Sequence, residues 1–396
     1  MATWEVKKFE DVLSVLRNGV NCKQNKKGGG NKISRIESIS NADFDIEKVG
    51  YAELSKSDKD KYKLNRGDIL FSHINSPIHV GKTALFNSED EVYHGVNLLL
   101  MRPKPCLDVN YFEHYLKYLF QNGYWKGLCK QSVNQASVNQ QDINKVEIHY
   151  PKSISEQKRI VAILDEAFES ISKAKENAEN NLKNATEIFE SYLQSVFENK
   201  GEEWEEKTLD AVCKISSKLI DPREETYIDL CHIGGANIES ITGCLIDLKT
   251  SKEENLISGK FPFDNSMILY SKIRPYLVKV VRPDFSGICS ADIYPLKPVD
   301  SILDRDFLYF LLITKDFTNF AIKGSARAGM PKVNRKHLFS YSTFFPTLPE
   351  QQSIVSKLDA LSTETKKLEA IYTQKLADLD ELKKSILQKA FEGKLT

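Results

Sequence analysis

Two long stretches of the chain carry the same spacing of apolar positions. From Ser155 to about Asn199, apolar or small residues recur at Leu164, Ala167, Ile171, Ala174, Ala178, Leu182, Ala185, Phe189, Tyr192 and Val196, with no proline or glycine between them. Steps of mainly three and four predict one long helix with a coiled-coil seam. Ser155 and Glu156 supply its start signal and Asn199-Lys200-Gly201 its end. From Pro349 to Phe391 the seam runs through Ile354, Leu358, Leu361, Thr365, Leu368, Tyr372, Leu376, Leu379, Leu382, Ile386 and Ala390. At about 44 residues each, the helices would reach about 65 Å. Neither can bury its stripe alone, so they are expected to pair, antiparallel because a whole domain intervenes. Packing of each helix on its own domain is the alternative. Elsewhere the pattern shortens to strand-like runs, such as Asp68–Ser72 and Val96–Met101, ahead of a helical pattern at Val109–Phe120.

The second half of the chain repeats the first. Ser155-Glu156-Gln157-Lys158-Arg159-Ile160-Val161-Ala162-Ile163-Leu164-Asp165 returns as Pro349-Glu350-Gln351-Gln352-Ser353-Ile354-Val355-Ser356-Lys357-Leu358-Asp359, and the register holds to Phe197-Glu198 against Phe391-Glu392. Trp204-Glu205-Glu206-Lys207-Thr208-Leu209 restarts the pattern of Trp4-Glu5-Val6-Lys7-Lys8-Phe9, Met267–Ser271 answers Asp68–Ser72, and Val333-Asn334 answers Val138-Asn139. Between these anchors the globular parts diverge. The repeat predicts four segments: a globular domain over 1–152, a helix over 153–200, a second domain over 201–347 and a helix over 348–396. The fold class expected is α+β, with two pseudo-symmetric α/β domains separated by two long antiparallel coiled-coil helices.

Composition adds little to this. Of the 396 residues 28% are charged and 41% apolar, and the net charge is zero. There is no run of 18 apolar residues and no secretory signal pattern at the N-terminus, so a cytoplasmic protein without membrane contact is expected. Seven scattered cysteines without a C-x-x-C point to reduced thiols. Charge distribution is more informative. Residues 23–35 hold Lys23, Lys26, Lys27, Lys32 and Arg35 without an acid, and residues 270–282 hold Lys272, Arg274, Lys279 and Arg282 without an acid. Residues 315–336 hold six cations against Asp316. One such cluster alone is compatible with a solvated loop; three at related places in two repeats favour local binding of nucleic acid.

The chemistry of an enzyme is not written in the chain. Gly81-Lys82-Thr83 lacks the leading glycine of a phosphate loop, because position 76 is serine. Gly28-Gly29-Gly30 has no strand-to-helix context, no G-x-S-x-G or H-E-x-x-H occurs, and the histidines stand singly. No catalytic residue and no metal ligand is assigned.

Reading DNA needs cations for phosphates and forked amides or guanidinium groups for base edges. Lys130–Gln141 carries six Asn or Gln side chains just ahead of the first long helix, and Lys323–Lys336, rich in arginine and lysine, occupies the matching place in the second half. The candidate contacts in the first half are Lys23, Lys26, Lys27, Asn31, Lys32, His73, Asn75, Asn134, Gln135 and Gln140. In the second half they are Lys272, Arg274, Lys323, Arg327, Lys332 and Arg335. A polar loop that caps strands and packs on the helix start is the competing reading. Asn139 and Asn334, shared by both repeats, are expected to be structural.

Taken together, Pro151 ahead of Glu156-Gln157, Pro346 ahead of Glu350-Gln351, the Ile-Val and Leu-Asp that follow each pair, and the terminal Ala390-Phe391-Glu392-Gly393-Lys394-Leu395 resemble the DNA-specificity subunit of type I restriction-modification systems over essentially the whole chain. Asn199 stands where the second copy has Gly393, and Pro151 lies one residue further from its Glu-Gln pair. The resemblance implies that each globular segment is a target-recognition domain reading one half of a split, asymmetric double-stranded DNA target. It implies that the helices set the gap and dock two modification (methyltransferase) subunits, with Leu164, Ile171, Leu182, Phe189, Leu358, Leu361, Leu368, Leu379 and Ile386 as the seam. Two restriction (endonuclease and translocase) subunits would join them. S-adenosylmethionine, ATP and magnesium are expected on those partners and no cofactor on this chain. A coiled-coil adaptor with two protein-binding domains and no DNA contact remains the alternative, as does, more remotely, a nuclease hidden in one domain.

Overall fold

The computed structural model describes residues 3–39, 43–132, 135–215, 218–325 and 330–395. The chain divides into two compact units, one formed by Met1–Glu179 with Gln374–Thr396 and the other by Asn180–Thr373. The two long helices, Ile154–Glu198 and Leu348–Phe391, each contribute to both. No proline interrupts the interior of either helix, and Pro349 sits in the first turn of the second, where its missing N–H would have no partner in any case.

In the first unit a four-stranded antiparallel sheet runs in the order Leu13–Asn18, Leu99–Pro103, Asp68–Phe71, Thr83–Phe86. Val109–Gln121 packs over it, started by the Asp108 carboxylate, which accepts from the amides of Asn110 and Tyr111 at 3.0 and 3.1 Å. Phe9, Ile69, Phe71, Leu99, Met101, Phe112 and Trp125 form the core, and the core extends into both long helices through Ile160, Leu164, Leu387 and Phe391. The beginning of one helix and the end of the other thus meet on this unit, the antiparallel arrangement. A smaller sheet joins Gly50–Ala52, Asn31–Ile33 and Val92–Tyr93.

The second unit repeats this plan. Its main sheet runs Cys213–Ile215, Ile293–Pro298, Ile268–Ser271, Val280–Val281, again antiparallel. Asp304 caps Arg305–Leu312 by accepting from the amides of Asp306 and Phe307 at 2.9 Å each. The smaller sheet has gained a strand and reads Lys249–Thr250, Cys231–Ile233, Gly287–Cys289, Phe261–Phe263. Leu193, Phe310 and Leu358 join the end of the first helix to the start of the second.

The repeated glutamine explains the repeated motif. Gln157 is fully buried; its Oε1 accepts from the Asp108 amide at 2.7 Å, and its Nε2 donates to the carbonyls of Pro151 at 2.8 Å and Cys106 at 3.1 Å. Gln351, also fully buried, accepts from the Asp304 amide at 2.7 Å and donates to the carbonyls of Pro346 at 2.8 Å and Ile302 at 2.9 Å. One side chain therefore ties the helix start to the preceding strand and to the cap of the domain's own helix. The shared aspartate further along each long helix is used differently. Asp165 bonds His114 Nε2 at 2.8 Å, whereas Asp359 holds the Arg282 guanidinium.

The expected seam needs one correction. Leu164, Ile171 and Leu358 are buried, and Leu182, Phe189, Leu361, Leu379 and Ile386 are partly buried, but Leu368 is 38% exposed. Tyr192 and Leu382 also face outward, and the repeat-equivalent Leu193 and Leu387 are buried in their neighbourhood. An α-helix has about 3.6 residues per turn, so a strict step pattern drifts off the contact line over many turns.

Candidate nucleic-acid interface

The strand Asp68–Phe71 is buried on all four residues, which fixes where the chain emerges from the core. It emerges through Ser72 and His73 into Ile74–Asn75, and there the amide-rich stretch joins it. Lys130–Ser132 and Gln135–Ser137 form a hairpin whose second strand pairs with Ile74–Asn75, with Ala136 opposite Asn75. Buried Ala136 and Val138 anchor the hairpin, and the Val138 amide donates to the His73 carbonyl at 2.9 Å. The second unit brings the guanidinium-rich stretch to the same place. Ile273 bridges Lys332, the Val333 amide donates to the Lys272 carbonyl at 2.9 Å, and the Arg274 amide donates to the Pro331 carbonyl at 2.9 Å. Two segments that differ in chemistry are thus mounted on one backbone plan.

Asn139 and Asn334 are the caps that end both segments. Asn139 Oδ1 accepts from the Asp142 amide and Asn334 Oδ1 from the His337 amide, each at 2.8 Å. Their structural role was legible from their being shared.

The structure sorts the candidate contacts by exposure. Lys23 and Lys27 in the first unit, and Arg274, Lys323 and Arg335 in the second, are exposed and have no ion pair among the described residues. Other cations are paired with acids that lie outside their own cluster: Lys26 with Glu37 at 3.2 Å, Lys32 with Asp90 at 2.7 Å, and Lys332 with Asp292 at 3.2 Å. Lys272 is mostly buried, lies 3.4 Å from Asp292 and rests over the Tyr294 ring, and desolvation holds its pKa below the usual lysine value. Glu37, beside Arg35, is held down to about 2 by that guanidinium. Asn31 and Asn75 are partly buried in their strands. Gln140 donates to Asn18 Oδ1, and Asn18 Nδ2 lies 3.3 Å from His73 Nε2, a chain of polar groups beneath the hairpin. Nothing in the sequence marked Asn18. Asn134 and Arg327 lie outside the described residues, and only the backbone of Gln135 is described.

His73 is corrected from a DNA contact to an interior residue. It is 6% exposed and burial pushes its pKa down to about 4, so it is neutral and presents no charge. His94, fully buried with Nε2 3.0 Å from the Leu98 carbonyl, is pushed down to about 4 by the same cause. Between the ordinary histidine value of 6.5 and about 4 the unfolded chain binds protons that the folded unit refuses. Stability is therefore full above pH 6.5 and declines as pH falls through this window. The urea midpoint of the first unit is expected to be lower at about pH 5 than at about pH 7, and equal midpoints would contradict the burial of both rings.

Among the described residues no group of three or more His, Cys, Asp or Glu side chains is placed to hold a metal ion, and no helix is long and apolar enough to cross a membrane. All seven cysteines are free thiols.

Comparison with known proteins gives these features a family. The putative type I restriction enzyme MjaX specificity subunit of Methanocaldococcus jannaschii is 44% identical over 166 residues, 41% of this chain and 39% of that protein. The type I restriction enzyme EcoDI specificity subunit of Escherichia coli is 38% identical over 193 residues, 49% of this chain and 42% of that protein. The matched stretches thus span about two fifths of these relatives' length. A solved chain from work on complex assembly and conformational transition of the type I R-M system shares the fold with a TM-score of 0.76 at 18% identity, covering 99% of this chain and 98% of that one. The sequence pattern of the type I restriction modification DNA specificity domain matches residues 1–183 and again 201–376. The chain belongs to that family and carries its domain twice.

Proposed function

We propose that this chain is the sequence-reading, non-catalytic subunit of a cytoplasmic type I restriction-modification complex. Each unit reads one half of a split, asymmetric double-stranded DNA target. The amide-rich hairpin does so in the first unit and the arginine- and lysine-rich segment in the second. The observation that carries this reading is the contrast between scaffold and segment. The glutamine ties, the aspartate caps and the order of the main sheet are the same in both units, while the segments mounted on them differ in chemistry. Fixed mounting with variable contacts is what two readers of different sequences require.

The long helices set the spacing between the half-targets and dock two modification subunits, with two restriction subunits completing the complex. S-adenosylmethionine, ATP and magnesium belong to those partners, and this chain holds no cofactor. Lengthening both helices by one heptad at repeat-equivalent positions adds about 10 Å of helix. The unread gap is then expected to grow by about 3 base pairs. A modified site with its original gap would show that the helices do not set it.

The direct test of DNA contact is salt. Exposed lysines and arginines on phosphates release counterions, so affinity for a target duplex is expected to fall by orders of magnitude between about 50 and 200 mM salt. Binding indifferent to salt would favour an adaptor that holds proteins.

A further inference from the structure

Two exposed apolar side chains occupy related places on the two candidate interfaces. In the first unit the chain leaves Asn75 into a tight loop, held by the Gly81 amide on the Ser72 carbonyl at 2.8 Å, the Ser72 amide on the Lys82 carbonyl at 2.8 Å, and the His79 amide on the Ser76 carbonyl at 2.9 Å. Val80 is buried and Gly81 lies against the Trp125 ring, so the loop is anchored on its inner side. Ile78 at its tip is 70% exposed. In the second unit the chain leaves Arg274 into the turn Pro275–Leu277, held by the Leu277 amide on the Arg274 carbonyl at 2.9 Å and the Ser271 amide on the Lys279 carbonyl at 3.0 Å. Pro275 is buried, while Tyr276 is 52% exposed. The helix Lys315–Lys323 packs against this turn and carries exposed Ile322 near its end, and Met330 is exposed on the segment that pairs with Arg274.

Single exposed apolar residues are ordinary on a protein surface. Here, however, both repeats hold one on a braced loop, three residues beyond Asn75 in the first unit and two beyond Arg274 in the second. The second loop also holds its side chain out at a conformational cost: Arg274 and Val278, flanking Tyr276, both have positive φ, 49° and 46°, a region that a β-branched residue rarely enters. Apolar side chains have one specific partner among the base edges of the major groove, the 5-methyl group of thymine.

We infer that Ile78 and Tyr276 are the apolar base contacts of the two readers, each packing on the 5-methyl group of a thymine in its own half-target. This rests on the reading of both units as DNA readers. Both residues are solvent-exposed, so their replacement leaves the fold intact.

The test uses the assembled complex and its target duplex, with each thymine replaced in turn by deoxyuridine, which lacks only the methyl group. The wild-type complex is expected to lose about fourfold in affinity at one thymine in each half, the worth of one buried methyl. Ile78→Ala should lose a similar factor on the full target and become indifferent to deoxyuridine at its own position, while still responding in the other half. Tyr276→Ala should show the converse. A wild-type complex indifferent to deoxyuridine at every position, or alanine variants that keep the wild-type response, would overturn the inference while leaving specific binding intact. Equal affinity of the wild-type complex for target and scrambled duplexes would instead overturn the reading on which it rests.

Discussion

Replacing Gln157 by methionine is expected to lower the Tm of the first unit by about 10 °C or more. Methionine matches the glutamine's length and fills its space, so the change isolates the hydrogen bonds. Three partners would be left bare: the Pro151 carbonyl in a buried bond, and the Asp108 amide and Cys106 carbonyl in partly buried ones. At about 1–3 kcal/mol for an unsatisfied buried group, and toward the lower end of that range for the two partly buried ones, the loss is about 3–6 kcal/mol, set against total stabilities of about 5–15 kcal/mol. Gln351→Met removes the equivalent three bonds and should weaken the second unit to a similar degree. Thermal unfolding followed by hydrogen exchange in each unit separates the two. A loss below about 1 kcal/mol in both variants would mean that the repeated glutamine is not what joins domain to helix.

The second large effect is on specificity. Exchanging the first globular segment for that of another family member is expected to change one half of the DNA target completely and leave the other untouched. The contacts that seat this segment on the helices are identifiable: Gln157 on Asp108, Asp165 on His114, and the Phe391 ring against Tyr111, Tyr115 and Tyr118. A replacement that keeps these docks as the original does. The paired strands Lys130–Ser132 and Gln135–Ser137 and the exposed Lys23 and Lys27 travel with the segment, so on the proposed reading its half-target travels too. A target altered in both halves would contradict independent readers.

What was legible in the sequence was the part dictated by periodicity and repetition. The helices Ile154–Glu198 and Leu348–Phe391 follow from uninterrupted three- and four-residue steps, and the capping roles of Asn139 and Asn334 follow from their retention in both copies. The matching of the amide-rich and arginine-rich stretches also survives as matched pairing with Ile74–Asn75 and Ile273. The rest depended on which distant residues meet. Clusters of lysine without an acid of their own looked free, yet Glu37, just past the end of its cluster, and Asp90 and Asp292 from across the fold reach several of them. Arg282, counted in a basic cluster, is held by Asp359 and the rings of Tyr309 and Phe310. His73 directly precedes the half-buried strand Ile74–Asn75, and a strand alternates faces, so its burial turned on a single position of register. Leu193 was passed over for Tyr192 on the seam for the corresponding reason on a helix.

The measurement that bears most directly on the central claim is the methylome of cells in which this chain is expressed with its modification subunit. The account predicts a new split motif carrying methyladenine in both halves, abolished when residues 201–345 are deleted. An assembled complex that adds no methylation, or that methylates a single continuous motif, would contradict the reading of this chain as a pair of DNA readers.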